Sequence, residues 1–320
     1  MKKPMKVVVQ VPCYNEEQTL HLVLESIPKN IKGVDSVEVL IIDDGSKDKT
    51  IEVAKSYGVK HFVLHKKNMG LARSFHDGVN YALGIGADIV VNTDGDNQYP
   101  QERIGDLVQP ILDGKAEIVI GDRQTSKIAH FSGFKKLMQR FGSWVVNKAA
   151  GTDLPDAASG FRAYSKESLM RINIVTQFSY CMETIIQAGN KRIPIESVPI
   201  ETNAKTRESR LFKNIWQHMF KSGSAIVRSY IMYRPHLIFI SLGSVFLLAG
   251  LLPFARYAVF YFSGNRGSHI QSLLLGAVLI FASVIAFALS IIADLTRTNR
   301  ILQEDVLERI KRLQFSNSDK

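Results

Sequence analysis

Short apolar runs alternate with amphipathic stretches over the first part of the chain. The β-rich runs are Val7–Val11, Val37–Ile42, His61–Leu64, Asp88–Asn92 and Glu117–Ile120. Between them, Glu16–Ile27, Lys49–Tyr57, Leu71–Leu83 and Glu102–Leu112 read as helices. Strands alternating with helices predict βαβ units, and so an α/β domain with a mainly parallel sheet covered on both faces. Such sheets bind ligands outside the carboxyl ends of their strands. The polar clusters fall at those ends: Tyr14-Asn15-Glu16 after the first run, Asp43-Asp44-Gly45-Ser46 after the second, Asp94-Gly95-Asp96 after the fourth. One site collecting all three is the expectation.

The pattern then changes. Over residues 128–151, Phe131, Phe134, Leu137, Met138, Phe141, Trp144 and Val145 recur at helical spacing, with Lys135, Lys136, Arg140 and Lys148 interleaved. Two readings fit: an amphipathic helix packed on the domain, or a basic helix at a membrane surface. Leu211–Ile231 repeats the pattern. The uncharged runs Leu237–Phe254 and Ile270–Ile292 are each long enough to span a bilayer. Tyr257, Tyr261 and Phe262 suit an interfacial belt. Thr298–Leu313 reads as one more amphipathic helix. The expected organisation is a catalytic domain over 1–210, an amphipathic juxtamembrane helix over 211–235, two transmembrane helices with a short external loop over 236–293, and an amphipathic tail over 294–320.

Charge sharpens this picture. Of 320 residues 46% are hydrophobic, and the formal net charge is +10. Lys and Arg recur beside the apolar segments, which points to anionic lipid. Lys221, Arg228 and Arg234 precede the first span, and Arg297, Arg300, Arg309, Lys311 and Arg312 follow the second, against Arg256 and Arg266 between them. The positive-inside bias puts both termini and the catalytic domain on the cytoplasmic side of a multi-pass protein of the cell (inner or plasma) membrane. A basic nucleic-acid binder needs no spans, so nucleic acid is not an expected partner. A homo-oligomer is compatible with the sequence. Cys13 and Cys181 are too few and too far apart for a disulfide framework or a metal cluster. The apolar run Val7–Val11 is too short for a signal-peptide core.

Asp94 and Asp96 are two carboxylates one residue apart at a strand's exposed end. Their mutual repulsion is relieved by a divalent cation, and Mg²⁺ or Mn²⁺ prefer oxygen ligands that bridge to substrate phosphates. Gln98 adds a neutral oxygen. Gly95 between them lets the backbone approach a ligand closely. Asp43 and Asp44 accept hydrogen bonds from a ribose or base edge, while Ser46 or Asp48 caps the next helix. Tyr14 is placed to stack on a base and Glu16 to fix its polar edge. Arg73 reads either as a phosphate partner or as a surface residue.

In this order the strings VPCYNEE, IIDDGSKDKT, NMGLARS, NTDGDNQYP and ASGFRAYS resemble those of family 2 glycosyltransferases with the GT-A fold. With two spans and a basic tail, the chain is similar to the polyprenyl-phosphate glycosyltransferases, the group of dolichol-phosphate mannose synthase and its bacterial relatives. The resemblance implies that Pro12, Tyr14, Glu16, Asp43 and Asp44 bind the nucleoside, and that Asp94, Asp96 and Gln98 bind metal and diphosphate. It implies that Arg123 serves the sugar and acceptor phosphates and that Ser143 lies near the acceptor, with Lys136 and Arg140 on the same helix. Asp156, Ser159, Gly160, Phe161 and Arg162 then line the acceptor side, and Arg210 closes over the diphosphate. Ala204 and Arg207 stand where the family often has Arg and Gly.

The implied reaction is inverting, metal-dependent transfer of a sugar from a nucleotide-sugar to a polyprenyl phosphate, with Lys136, Arg140, Arg123 and Arg162 bringing two anions together. Processive polysaccharide synthases share the nucleotide site but carry a Gln-x-x-Arg-Trp segment, which Gln139–Trp144 lacks. A non-catalytic scaffold or sugar-nucleotide sensor would not need the metal carboxylates. Gly84-Ile85-Gly86 lacks the third glycine and precedes a strand, so it is no dinucleotide fingerprint.

Overall fold

The structure, a computed structural model, describes residues 4–124, 133–174, 180–203, 235–264 and 270–316, with the side chains of 133–139, 235 and 316 outside the description. It divides into two compact units, Met1–Val227 with Asp305–Lys320, and Arg228–Glu304.

The first unit is built on a seven-stranded sheet of order β3-β2-β1-β4-β6-β5-β7. Its strands are β1 (Lys6–Cys13), β2 (Ser36–Asp43), β3 (His61–Leu64), β4 (Ile89–Asn92), β5 (Ile118–Asp122), β6 (Arg162–Ser165) and β7 (Ile195–Pro199). All pairings are parallel except those of β6, which runs antiparallel between β4 and β5. The helices are α1 (Leu20–Ser26), α2 (Thr50–Ser56), α3 (Leu71–Gly84), α4 (Ile104–Leu112), α5 (Gly133–Ala150), α6 (Lys166–Arg171) and α7 (Tyr180–Asn190). Val7, Val8, Val9 and Val11 of β1 are all fully buried. Both faces of this strand are covered, which explains a continuous apolar run in place of alternation. On one face Val7, Val9 and Val11 pack with Leu20, Val23, Leu107 and Val108 of α1 and α4. On the other, α3 comes so close that a Cβ on Gly78 would lie 2.6 Å from Gln10 Oε1.

α1 starts four residues later than the pattern predicts. Asn15 has a left-handed φ of 56°, and Glu16 N–H is spent on Thr50 Oγ1 (2.8 Å). These ties hold residues 15–19 in a turn that precedes the helix.

The second unit contains α8 (Pro235–Phe262) and the first part of α9 (Ile270–Ser316). Both are long and apolar enough to cross a membrane. They pack through small residues: a Cβ on Gly250 would lie 3.0 Å from Gly276 O, and one on Gly243 2.8 Å from the Phe287 ring. Close approach at glycine is a usual device of helix pairs in lipid. The amphipathic tail helix expected at 298–313 is not separate. It continues the second span as a single helix of 47 residues, because no glycine or proline interrupts 277–316. The amphipathic segment expected at 211–235 lies outside the described residues.

The far end of α9 is fixed within the first unit. Lys311 Nζ donates to Ile172 O (2.7 Å) and Leu169 O (3.3 Å), satisfying carbonyls at the end of α6. Arg312 pairs with Glu167, and Phe315 is buried. Burial, assisted by the charge of Lys191, lowers the Lys311 ammonium to about 8. Its folded value lies below the ordinary value of about 10.4, so the unfolded chain holds the extra proton between the two. The stability difference between wild type and Lys311→Met should therefore move in favour of wild type as pH rises from about 8 to about 10. Thermal unfolding of both proteins across that range checks this, and a flat difference would contradict it.

Candidate active site

The loops after β1, β2 and β4 converge at the carboxyl edge of the sheet. The first two are stitched to one another. Asn15 N donates to Ser46 Oγ (2.9 Å), Lys47 N to Asn15 Oδ1 (2.8 Å), Glu17 N to Asp48 Oδ2 (3.1 Å) and Lys49 N to Glu17 Oε2 (3.1 Å). The third is tied to the first: Thr19 Oγ1 donates to Glu16 Oε2 (3.0 Å) and to Gly95 O (2.8 Å). Tyr14 presents its ring at 37% exposure beside the buried Glu16, and Pro12 lies within β1.

Asp43 and Asp44 separate in role. Asp43 accepts from Ser46 N (3.1 Å) through Oδ2. Its Oδ1 is buried with no partner among the described residues, an acceptor that calls for a ligand N–H or O–H. Asp44 faces inward. Its oxygens take His65 Nδ1 (2.7 Å), Met69 N (2.7 Å) and Gly70 N (2.9 Å), so it shapes the loop ahead of α3. His65 was not anticipated, because its pairing with Asp44 depends on two loops that only the fold brings together. Arg73 is more than half exposed and donates to Asp77 (2.7 Å). It lines an open cleft of about 500 Å³ with Leu64, His65, Lys66, Lys67, Met69 and Asp77.

Asp94 and Asp96 follow β4, both partly exposed. Gln98 is turned towards Asp96: its N–H donates to Oδ1 (3.2 Å) and its Nε2 to Oδ2 (2.8 Å). The room at Gly95 is used by protein. A Cβ there would lie 3.2 Å from both Cys13 Sγ and Glu16 Cγ. Asn203, unforeseen in the sequence, holds this loop from the far side. Its Nδ2 donates to Asn97 O (3.1 Å) and Tyr99 O (3.2 Å). Burial, then the charges of Glu16, Asp43, Asp48 and Asp94, push the Cys13 thiol well above its ordinary value. The carboxylates of Glu16, Asp43, Asp48 and Asp94 thus lie near enough to Cys13 to disfavour a second negative charge. Among the described residues no three metal-type ligands gather. Asp94 and Asp96 offer two carboxylates that could hold a Mg²⁺ or Mn²⁺, ions that favour oxygen ligands.

In the region that the resemblance assigns to the acceptor, Arg123 forms a two-pronged pair with Asp156: Nε to Oδ2 (2.6 Å) and Nη2 to Oδ1 (2.9 Å). Asp156 is 4% exposed. Burial would raise its carboxyl, but the hydrogen bonds and charge of Arg123 outweigh that and hold it below the usual range. Ser143 accepts from Ala157 N (3.3 Å), and Ser159 is fully buried. Arg162 departs from expectation. It is 0% exposed, with Nε on Ser159 O (2.7 Å), Nη1 on Cys181 O (2.8 Å) and Thr184 Oγ1 (2.9 Å), and Nη2 on Ala157 O (2.9 Å). A guanidinium so enclosed braces the loop of residues 157–162 and does not meet a phosphate. Arg140 is exposed on α5. The side chain of Lys136 and all of Arg210 lie outside the described residues.

The three carboxylate-bearing loops gather at the carboxyl edge of a mostly parallel sheet, where such folds bind their ligands. Residues 8–172 match the glycosyl transferase family 2 model, and the chain belongs to that family of enzymes. It is similar to a dolichol-phosphate mannosyltransferase of Pyrococcus furiosus, 30% identical over 67% of this chain and 62% of that protein. It is also similar to a UDP-N-acetylglucosamine–dolichyl-phosphate N-acetylglucosaminyltransferase of Methanococcus voltae, 27% identical over 60% of this chain and 83% of that one. An undecaprenyl-phosphate mannosyltransferase of Micrococcus luteus is 28% identical over 53% and 70%. Among solved structures, glucosyl-3-phosphoglycerate synthase of Mycobacterium tuberculosis with Mn²⁺ and UDP superposes with a TM-score of 0.54 over 71% of this chain and 79% of that one, at 20% identity. That likeness establishes the GT-A fold.

Proposed function

We propose that this enzyme transfers a sugar from a nucleotide-sugar to a polyprenyl phosphate, with inversion at the anomeric carbon. The observation that carries the reading is the pairing, in one family 2 chain, of a carboxylate-rich crevice with two helices long enough to cross a bilayer. The names of the relatives, which act on dolichyl and undecaprenyl phosphates, support the acceptor.

Tyr14, Glu16 and the unsatisfied Asp43 Oδ1 receive the nucleoside. Asp94 and Asp96 would hold a divalent ion, which would supply neutralisation of the departing diphosphate's charge. The attacking group is a phosphate monoester, whose second pKa is about 6, so it is ionised near neutral pH. No strong general base is needed, and Cys13 and Tyr99, both raised first of all by burial, are not bases. Arg123 is kept charged and oriented by Asp156, which leaves its Nη1 for a phosphate oxygen, with Arg140 and Lys136 further along α5. Charge around the two spans favours a cell-membrane protein with the catalytic unit and both ends in the cytoplasm.

The test incubates membranes holding the protein with a panel of nucleotide-sugars and mass-tagged polyprenyl phosphate, with and without EDTA. A lipid-linked sugar that disappears with EDTA is the expected result. Glycosylation of a soluble sugar with no lipid product would remove the acceptor assignment.

A further inference from the structure

A closed polar network lies beneath the metal-type carboxylates, and nothing in the reaction just described uses it. Gly160 is its centre. Its N–H donates to Tyr99 Oη (2.9 Å). Its carbonyl accepts from Asn92 Nδ2 (3.0 Å) and from Tyr180 Oη (3.2 Å). Asn92 also donates to Tyr180 Oη (2.7 Å) and accepts from Gln10 Nε2 (3.0 Å). Gln10, Asn92 and Tyr180 are fully buried and Tyr99 nearly so. The two phenols are anchored by stacking, Tyr180 on Phe75 (4.0 Å between centroids) and Tyr99 on Phe161 (5.2 Å). Burial first of all pushes the Tyr180 phenol well above its ordinary value, so it stays a donor at any physiological pH.

The network meets the site at one point. Asn92 is the last residue of β4, two positions before Asp94. A Cβ on Gly160 would lie 3.2 Å from Tyr180 Oη and 3.5 Å from Asp94 Oδ2. Gly160 thus lies close beside the Asp94 carboxylate, and both polar groups of its backbone are fixed by the network. Neighbouring carbonyls of the same loop are fixed by Arg162. A peptide with its hydrogen bonds satisfied cannot rotate without leaving buried polar groups unpaired.

We propose that Asn92 and Tyr180 are positioning residues, which lock the Gly160 peptide and so hold the Asp94 carboxylate in the orientation that binds the divalent cation of the donor complex. The inference rests on the reading of Asp94 as a cation ligand. Tyr180 touches neither donor nor acceptor in this role and acts only through Gly160. Residues behind a metal ligand typically alter metal affinity by about 10–100-fold when replaced.

The test titrates Mn²⁺ into the full-length detergent-solubilised protein with UDP and, separately, with GDP, following free Mn²⁺ by electron paramagnetic resonance. Wild type, Tyr180→Phe, Asn92→Ser and Tyr164→Phe are compared, with thermal unfolding of each. Tyr164 is the control: it is equally buried and also packs on Phe75, but its hydroxyl is not bonded to Gly160. Tyr180→Phe is expected to weaken Mn²⁺ binding about tenfold or more while its unfolding temperature falls by only a few degrees. Asn92→Ser removes the donor to Gly160 O and to Tyr180 Oη, should show the same signature, and carries the test if Tyr180→Phe does not fold. Tyr164→Phe should bind Mn²⁺ as wild type does. Unchanged affinity in Tyr180→Phe, or equal weakening in Tyr164→Phe, would overturn the proposal while leaving the cation assignment intact. A wild-type protein that binds no Mn²⁺ with either nucleotide would overturn both.

Discussion

Asp94→Asn should fold like wild type and transfer sugar at least about a thousandfold more slowly. The substitution keeps shape and removes one negative charge. Asp94 is only partly buried, so the stability change should stay small. The lost effect is stabilisation of charge on the departing diphosphate, which metal coordination makes worth several kcal/mol. At 1.36 kcal/mol per tenfold in rate, that is three orders of magnitude. Single-turnover formation of lipid-linked sugar, with unfolding measured on the same preparation, checks the prediction. Turnover within tenfold of wild type would take Asp94 out of the site. Asp96→Asn is a less clean probe, because Gln98 donates to both Asp96 oxygens and an amide there would oppose one donor to another.

The second large effect concerns the pair formed by Arg123 and Asp156. Removing one partner of a buried ion pair strands the other charge and costs about 3–5 kcal/mol. Arg123 is 19% exposed, so water will relieve part of the burden when Asp156 is the residue removed. The greater loss is expected in Arg123→Ala, which leaves the nearly buried Asp156 carboxylate alone. The double variant should be less destabilised than the sum of the singles, by about 0.5–3 kcal/mol of coupling. The sign of the pH dependence follows from the depressed Asp156 carboxyl. Its stabilisation is fully present above the unfolded value of about 3.9 and is lost as pH falls through the lower folded value. Denaturant unfolding of wild type and Asp156→Asn at pH 7 and in steps below 4 should show the advantage of wild type shrinking only in the acid range. Additive single variants would mean that the pair is not formed in solution.

The first five strands were legible because each is a short apolar run bounded by polar turns. β1, expected at Val7–Val11, occupies Lys6–Cys13. β6 was not, since Arg162–Ser165 carries a cation and two hydroxyls and shows no apolar run. Only the fold reveals that the Arg162 donors are satisfied by carbonyls of its own loop and by Cys181 and Thr184 of α7. The convergence of the three acidic loops followed from topology, because strand ends in a parallel sheet share one edge. The partners of individual side chains did not. Asp43 and Asp44 are adjacent and chemically identical in sequence, yet one keeps an unsatisfied oxygen and the other is spent on a loop more than twenty residues away. Tyr99 and Tyr180 gave no local signal, since their importance lies in a glycine between them in sequence and above them in space. The junction between the second span and the tail helix was read as a break, but the polar continuation keeps a helical period with nothing to interrupt it, so one helix runs through both.

The cross-stitching of residues 15–17 to 46–50 bears on any effort to retarget the enzyme. Asn15, Glu17, Ser46 and Asp48 each lend a side chain to the backbone of the opposite segment. Grafting one segment from a relative with a different donor would orphan amides in the segment left behind. If these segments receive the nucleoside as proposed, exchange of donor preference becomes a two-segment operation, in which both halves must come from the same parent.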